Sequence, residues 1–549
     1  MEFRQDAPQL PHPFDQDHLL QALIERHVPE DRRQHLESDL RALGDHACVA
    51  YAQRMQRNRR KPELVQWDPW GERIDRIELT RAWREGPGMT ARFGILAAGH
   101  APEAGVNARL EQFSRVYLYH LASEFFTCPL AMTDGAATAI RLSGNTELSE
   151  RVLPRFLSRN PDQLWLSGQW MTETAGGSDV GRTETIARQD EHGQWRLYGR
   201  KWFTSAVVGE AALALARPEG ADEGPDALAL FYVETRDVQG RWNGMRVDRL
   251  KDKLGTQELP TAEIHLEGIP AEPVSGLDHG VRLITPVLNI TRTWNAVCAT
   301  ATMARCMALA RDYASRREAF GRRLADHPLH AQTLADMQAE HAAAFALTFH
   351  LVRLLGRVEH DQADPHEPHL LRLLTPLAKL WTAKVAVAVA SETLECFGGA
   401  GYIEDTGLPQ LLRDAQVYPI WEGTTNVLSL DLLRVLGKTG LAPLRKQIDA
   451  LLEAPGQESI AGMLRGVLDH AQSFLDEHSA DPSRLQSGAR DLAITLARCM
   501  AAALLSEQAQ WAHAQHDDGR PGAALELFVS HGIDSLRDGD HEAAIRLLD

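Results

Sequence analysis

The stretch "QWRLYGRKWFTSA", Gln194 to Ala206, decides the fold. It mixes aromatic, β-branched and charged residues at short intervals, the texture of a half-buried strand. Similar segments surround it: "ALALARP" (212–218), "ALALFYVET" (227–235) and "TAEIHLEGI" (261–269), separated by Gly, Pro, Asp and Glu. Together they predict an antiparallel β domain over 163–275. Both flanks read differently. "NARLEQFSRVYLYHLASEFF" (107–126) has no Pro or Gly and a repeating apolar face, so residues from about 70 to 160 are expected to be helical. Beyond the β domain, no Pro or Gly interrupts the chain between Pro286 and Gly321, which predicts one helix of about 30 residues, about 45 Å long. "LHAQTLADMQAEHAAAFALTFHLVRLL" (329–355) and "KLWTAKVAVAVASETLECF" (379–397) continue that pattern. The expected class is α+β, mainly α, in five parts: an N-terminal arm and helical segment (1–65), a helical domain (66–162), the β domain (163–275), a long-helix bundle (276–440) and a C-terminal helical block (441–549).

Composition narrows the function. The chain has 549 residues and a net charge of −17, which disfavours broad binding to nucleic acid, since phosphate neutralisation needs exposed Lys and Arg. The C-terminal block has 9 Lys and Arg against 17 Asp and Glu. A basic run, "RMQRNRRKPE" (54–63), reads as a solvated helix end. Six cysteines without a CxxC pair suit free thiols in a reducing compartment. The opening "MEFRQDAPQL" has no apolar signal core, and no apolar run approaches the roughly 20 residues of a bilayer span, so a cytoplasmic location is expected. The histidines of "EHDQADPHEPH" (359–369) fit no metal-ligand spacing, so that loop is read as solvated and no metal is expected.

Five short segments carry candidate chemistry. "MTETAGGSDV" (171–180) offers Gly176, Gly177 and Ser178, whose backbone can approach a phosphate, although such a turn alone is commonly just a turn. "RKWFTSA" (200–206) sets Trp202 and Phe203 just before Ser205: a core strand, or an aromatic wall with a hydroxyl beside a flat ring system. "SRREAFGRRL" (315–324) ends the long helix with Arg317 placed to pair with a phosphate. "CFGGAGY" (396–402) ends a helix at Gly398 and Gly399. In "YPIWEGTTN" (418–426), Thr424 or Thr425 can cap the next helix, whose start favours an anion. A Glu422 carboxylate flanked by Ile420 and Trp421 should have a raised pKa, which suits a general base.

The order, spacing and domain texture of these segments resemble the acyl-CoA dehydrogenase flavoprotein family over roughly 70–440. "LVQWDPWGERIDRIELTRAW" (64–83), "LKDKLGTQELPTAEI" (250–264) and the extra C-terminal helices resemble its AidB-like branch of adaptive-response and fatty acyl-CoA dehydrogenase proteins. The resemblance implies FAD as cofactor. It puts Met171, Thr172, Gly177 and Ser178 at the flavin and pyrophosphate, Phe203 at the family's shielding tryptophan, and Thr204 and Ser205 at the flavin-facing hydroxyl. Arg317, Phe320, Gly398 and Gly399 match positions that clamp the FAD of a neighbouring subunit, implying a homotetramer. Gly423, Thr424 and Asn426 match flavin or substrate contacts, and Arg292 an arginine near the active site. Glu422 matches the catalytic base. The alternative base position on the long helix is Thr291 here, which cannot serve.

The implied reaction is α,β-oxidation of an acyl thioester to a 2-enoyl thioester, by proton abstraction at Glu422 and hydride transfer to flavin N5, with an electron-transfer flavoprotein as acceptor. Departures from the family pattern are Pro328 for a glutamine near the adenine, Asn289 for an aspartate, and Phe203 for tryptophan. Two other readings stay open at this point: a DNA-binding flavoprotein that protects DNA from alkylation, and a flavin oxidase or monooxygenase acting on a non-CoA substrate.

Overall fold

In the computed structural model the described residues are 6–55, 61–537 and 541–548, so most of the basic run at 54–63 lies outside them. The chain forms two compact units. One comprises Arg57–Ala101 and Ala122–Trp294; the other comprises Met1–Gln56, Pro102–Leu121 and Asn295–Asp549.

The first unit begins with a hairpin, β1 (Glu63–Trp67) and β2 (Arg73–Glu78), where a helical start was expected. The Asp68-Pro-Trp-Gly71 turn separates two short segments rich in Val, Ile and Trp, and this local turn chemistry prevails over the helical texture downstream. The main sheet contains β3 (Ser167–Trp170), β4 (Ile186–Gln189), β5 (Trp195–Ser205), β6 (Ala211–Pro218), β7 (Ala229–Glu234), β8 (Met245–Leu250) and β9 (Thr261–Pro273). Pairing runs β6-β4-β5-β9-β7 and returns to β6, so these strands close on themselves, with β3 on β6 and β8 on β9. The sheet is not purely antiparallel: β3 and β4 both pair parallel to β6. Alternation of side chains gives strand faces but not strand direction, and the sequence carried no signal for this. The β1–β2 hairpin is fastened to β8, where Asp75 Oδ2 accepts from Val247 N at 2.9 Å and Arg73 Nη2 donates to Val247 O at 2.8 Å. Inside the ring lie Leu197, Ala214, Phe231, Val247 and Ile264, all buried. On the other side of β6 and β7, helices Thr127–Leu142 and Thr146–Phe156 supply Ile140, Leu148 and Phe156 to a second core.

The second unit is helical. The long helix is Gly280–Arg316, 37 residues, of which those from Asn295 onward belong to this unit; it starts six residues before Pro286, which it tolerates near its N-terminal end. Pro328 occupies the first position of helix Pro328–Glu359, where its missing N–H costs nothing. Helix Glu367–Cys396 ends at Phe397, followed by Gly398 at φ 57°, the glycine stop expected there. The long C-terminal helix Pro482–His516 packs against both of those helices and against Thr425–Thr439. Trp381 meets Phe528 with ring centroids 5.8 Å apart, and Arg498 pairs with Glu340 at 3.0 Å. Helices Glu367–Cys396 and Pro482–His516 are apolar enough to cross a membrane by length and composition, but 78% of each apolar window is buried inside the protein. All six cysteines are free thiols, five of them buried.

Candidate functional site

In the β-containing unit, two of the singled-out segments are stitched together. Trp202 N donates to Thr172 O at 2.9 Å. Beneath that bond, Lys201 Nζ reaches Glu173 Oε1 at 2.5 Å, and both side chains are buried. Glu173 also accepts from Thr185 Oγ1 at 2.6 Å and from Glu184 N at 2.7 Å, while Lys201 donates to Leu215 O at 2.8 Å. Burial pushes the Lys201 pKa down and Glu173 opposes that shift. Gly176 is required by the turn itself: a Cβ there would lie 2.3 Å from Asp179 O. By contrast Gly177 is open and Ser178 is exposed. Met171 is buried in the core beside Ala136 and Leu213, so most of its side chain serves packing.

Strand β5 carries a bulge at the two aromatics. Lys201 pairs with Ile264 but Thr204 pairs with Ala262, so one extra residue sits on β5. That is why Trp202 and Phe203 both face outward, 36% and 41% exposed, with their rings edge-on at 4.8 Å. Lys251 Nζ lies 3.9 Å from the Trp202 ring centroid. Beyond the bulge, Thr204 Oγ1 is buried and has no hydrogen-bond partner among the described residues. Ser205 Oγ lies 3.2 Å from Thr261 Oγ1, which accepts from Lys253 Nζ at 2.9 Å. A lysine ammonium has no lone pair to offer, so the Thr261 proton is free to point at Ser205, and either hydroxyl of that pair can be the donor. In the same unit Asp134 joins His100 Nε2 (2.8 Å) to Trp294 Nε1 (2.7 Å). Arg292 is half-buried, and Thr291 Oγ1 bonds back to Val287 O at 3.0 Å within its helix.

In the helical unit, Glu422 is half-buried and has a left-handed backbone, φ 57°, followed by Gly423 at φ 107°. Such a pair costs free energy and persists only where its surroundings hold it. On one side Tyr418 is buried; its hydroxyl lies 2.7 Å from both His120 Nε2 and Thr302 Oγ1, and its carbonyl accepts from Asn295 Nδ2 at 3.3 Å. Burial pushes the His120 pKa down to about 3, so this imidazole is neutral. On the other side the buried Lys379 Nζ donates to Gly423 O at 2.6 Å. Thr424 caps helix Thr425–Thr439 by accepting from Val427 N, and Asn426 is exposed at its first turn. Elsewhere in this unit Arg317 follows the long helix, and Phe320 and Gly321 form the tip of a two-residue hairpin between Glu318–Ala319 and Arg322–Arg323. Phe320 has φ 50° and is 97% exposed. Gly398 and Gly399 have open space where side chains would stand.

Among the described residues no three His, Cys, Asp or Glu side chains are grouped to hold a metal. The charges of the 359–369 loop are used in ion pairs, Glu359 with Arg109 and Glu367 with Arg357. Lys379, Lys253, Thr261, His120, Thr302 and the Glu173–Lys201 pair were not singled out from the sequence. The available signal was a lysine within apolar helical text, as in "PLAKLW", and a lysine in strand text, as in "RKWF".

This chain belongs to the acyl-CoA dehydrogenase family. The family's middle domain matches residues 168–269 and its C-terminal domain 278–437. Residues 8–163 match the N-terminal domain of the adaptive response protein AidB, and 441–521 the C-terminal domain of acyl-CoA dehydrogenase 11, so the chain is of the AidB-like type. It is 40% identical over 529 residues to acyl-CoA dehydrogenase family member 11 of Caenorhabditis elegans, covering 92% of this chain and 86% of that one. It is 32% identical over 407 residues to the putative acyl-CoA dehydrogenase AidB of Escherichia coli, covering 72% and 73%. The crystal structure of Caenorhabditis elegans ACDH-11 in complex with C11-CoA matches with TM-score 0.94 at 37% identity, over 99% of this chain and 96% of that one.

The chain is thus an FAD-dependent acyl-CoA dehydrogenase. Its residues fit the cofactor. Thr204 Oγ1 is a buried hydroxyl in want of a partner, Ser205 is a second hydroxyl beside it, and two outward aromatic rings adjoin them.

Proposed function

We propose that the enzyme oxidises a medium-chain acyl-CoA at its α,β bond with Glu422 as base. The carrying observation is the Glu422–Gly423 pair in a left-handed backbone, fixed by Tyr418 on one side and Lys379 on the other. A base must hold its carboxylate within hydrogen-bond reach of one particular proton, and such a clamp serves that need. Glu422 takes the α-proton, which the thioester carbonyl has acidified. Its own backbone N–H polarises that carbonyl, and Arg292 serves the substrate. Bound FAD supplies a hydride acceptor for the β-carbon. Ser205 donates to the flavin ring from its lysine-anchored chain, Thr204 adjoins it, and Trp202 with Phe203 shield it from water. Thr172, Gly177 and Ser178 hold the pyrophosphate side. The product is a trans-2-enoyl thioester.

The medium chain length is supported by the C11-CoA held by the Caenorhabditis elegans relative. Phe320, bulky and strained at an exposed hairpin tip, supports a homotetramer in which it, Arg317, Gly398 and Gly399 meet a neighbour's FAD, while Thr424 and Asn426 contact the flavin after the base. An electron-transfer flavoprotein in a reducing, cytoplasmic setting completes the cycle; the free thiols agree with that compartment. A DNA-protective role is disfavoured by charge. Five of the nine basic residues of the C-terminal block, Arg445, Arg465, Arg484, Arg498 and Arg520, already have carboxylate partners.

The test is anaerobic bleaching of the yellow protein with acyl-CoAs of four to sixteen carbons. Rapid loss of flavin absorbance centred on the middle of that range is expected. No bleaching by any thioester at full FAD occupancy would overturn the reading.

A further inference from the structure

The helical unit has a cleft that this reaction does not use. It opens between helix His18–His27, helix Pro328–Glu359 and helix Pro482–His516, and spans about 500 Å³ including its solvent-open part. One wall is apolar, with Leu23, Phe345, Phe349 and Leu504. The other brings together Arg26, His27, His350 and Arg353, with Glu507 as the acidic group.

The charges on that wall do not balance. Arg26 takes Glu507 as its ion-pair partner and faces Gln508 Oε1 at 3.4 Å. Arg353 then has neither a hydrogen bond nor a carboxylate within ion-pair distance among the described residues. His350 Nε2 is buried and without a partner. The effect shows in the titration of each group. Burial, then the neighbouring Arg353, pushes His27 down to about 2 and His350 to about 3. Burial also lowers Arg353 itself to about 10. Native proteins rarely leave buried polar groups unmatched, and the Arg353 guanidinium with the neutral His350 Nε2 beside an apolar wall suits an anion.

We propose that this cleft is a second small-molecule site, which takes a short-chain monocarboxylate. The carboxylate lies on the Arg353 guanidinium, whose planar fork matches its two oxygens, and accepts from His350 Nε2–H. The hydrocarbon part lies against Phe345, Phe349 and Leu504. A compact dianion such as sulfate suits the cleft less well, because it would leave the apolar wall wet and meet repulsion from Glu507.

The holoprotein, with its acyl site blocked by saturating enoyl-CoA product, is titrated calorimetrically with hexanoate. Uncharged 1-hexanol and tailless sulfate serve as controls. The expected result is one hexanoate per subunit, with both controls weaker by about tenfold or more, the worth of one charge-assisted pair. Arg353→Gln is expected to lower hexanoate affinity by about tenfold or more and leave the rate of flavin reduction by acyl-CoA unchanged. No heat with hexanoate, equal binding of hexanol or sulfate, or undiminished binding by Arg353→Gln overturns the proposal. Should that variant fail to fold, crystals of the native protein grown with 6-bromohexanoate decide. A bromine anomalous peak beside Phe345 and Phe349 is expected, and its absence from the cleft overturns the site.

Discussion

The two halves of the chemistry are held in different ways. The loop proposed for the flavin side, Met171 to Val180, is tied to strand β5 by a buried ion pair in which Glu173 accepts from Lys201, Thr185 and Glu184 N. The loop of the proposed base, Tyr418 to Thr424, is held by neutral groups on one side, His120 and Thr302, and by one lysine on a backbone carbonyl on the other. A platform for a large planar cofactor needs rigidity over many atoms, and a buried charge network fixed in a sheet gives it. A base needs one carboxylate at one angle, and a strained loop clamped at both ends gives that.

The comparison predicts different failures. Glu422→Gln is expected to keep FAD bound while flavin reduction by acyl-CoA falls by about 100- to 10,000-fold, measured by stopped-flow absorbance; reduction at the native rate would remove Glu422 from its role. Glu173→Gln leaves Lys201 buried without its anion and is expected to destabilise the protein by about 3–5 kcal/mol in urea unfolding. Adding Lys201→Met to that variant should recover part of the loss, and if it recovers nothing the ion pair is not the tie. Lys379→Met, by freeing the Gly423 carbonyl, is expected to slow reduction by roughly tenfold to a hundredfold with FAD content and substrate affinity kept. A variant that loses FAD instead would make Lys379 a structural support and blur the contrast.

Two smaller effects sharpen it. His27, held at about 2, and His120, His341 and His350, held at about 3, are neutral in the fold, whereas each takes a proton near 6.5 when unfolded. Their contribution to stability is full above pH 6.5 and is lost as pH falls from 6.5 toward 3. Each group contributes a slope of about 1.4 kcal/mol per pH unit within that window. All four lie in the helical unit, so acid should loosen the clamp on Tyr418 before it touches the Glu173–Lys201 pair, as hydrogen exchange of backbone amides at pH 5 can show. Lastly, Lys253→Met removes the ammonium that orients the Thr261 hydroxyl beside Ser205. A lower flavin reduction potential is expected, because reduced flavin gains negative charge that a fixed donor stabilises; an unchanged potential would break the link from Lys253 to the ring.

What the sequence disclosed follows from how each feature is encoded. The β domain, the long helices, the Gly398 stop and the Thr424 cap are written in local periodicity and capping chemistry, and all are present. Glu422 was proposed as the base because five segments stood in a familiar order. The β1–β2 hairpin was hidden because its turn lies inside a stretch whose later part is helical, and the parallel pairing of β3 and β4 with β6 was hidden because alternation carries no direction. Lys379 and His120 were hidden for a different reason. Lys379 lies 44 residues from the carbonyl it holds, and His120 lies 298 from Tyr418. A spacing rule has no purchase on partners that only the tertiary fold brings together.

The extra residue at Trp202–Phe203 has a consequence for parity. Along β5 the odd-numbered Leu197 and Lys201 face the interior; after the bulge the even-numbered Thr204 does. The chain thus changes phase by half a pleat just before the hydroxyls. Removal of either aromatic, without any other change, would reverse every later side chain: Thr204 would turn out and Ser205 would turn in. Spacing between Lys201 and Ser205 is therefore a frame, comparable to a reading frame in a gene. Residues inside it can be exchanged without loss of phase, but a single deletion there would leave a folded strand aimed the wrong way.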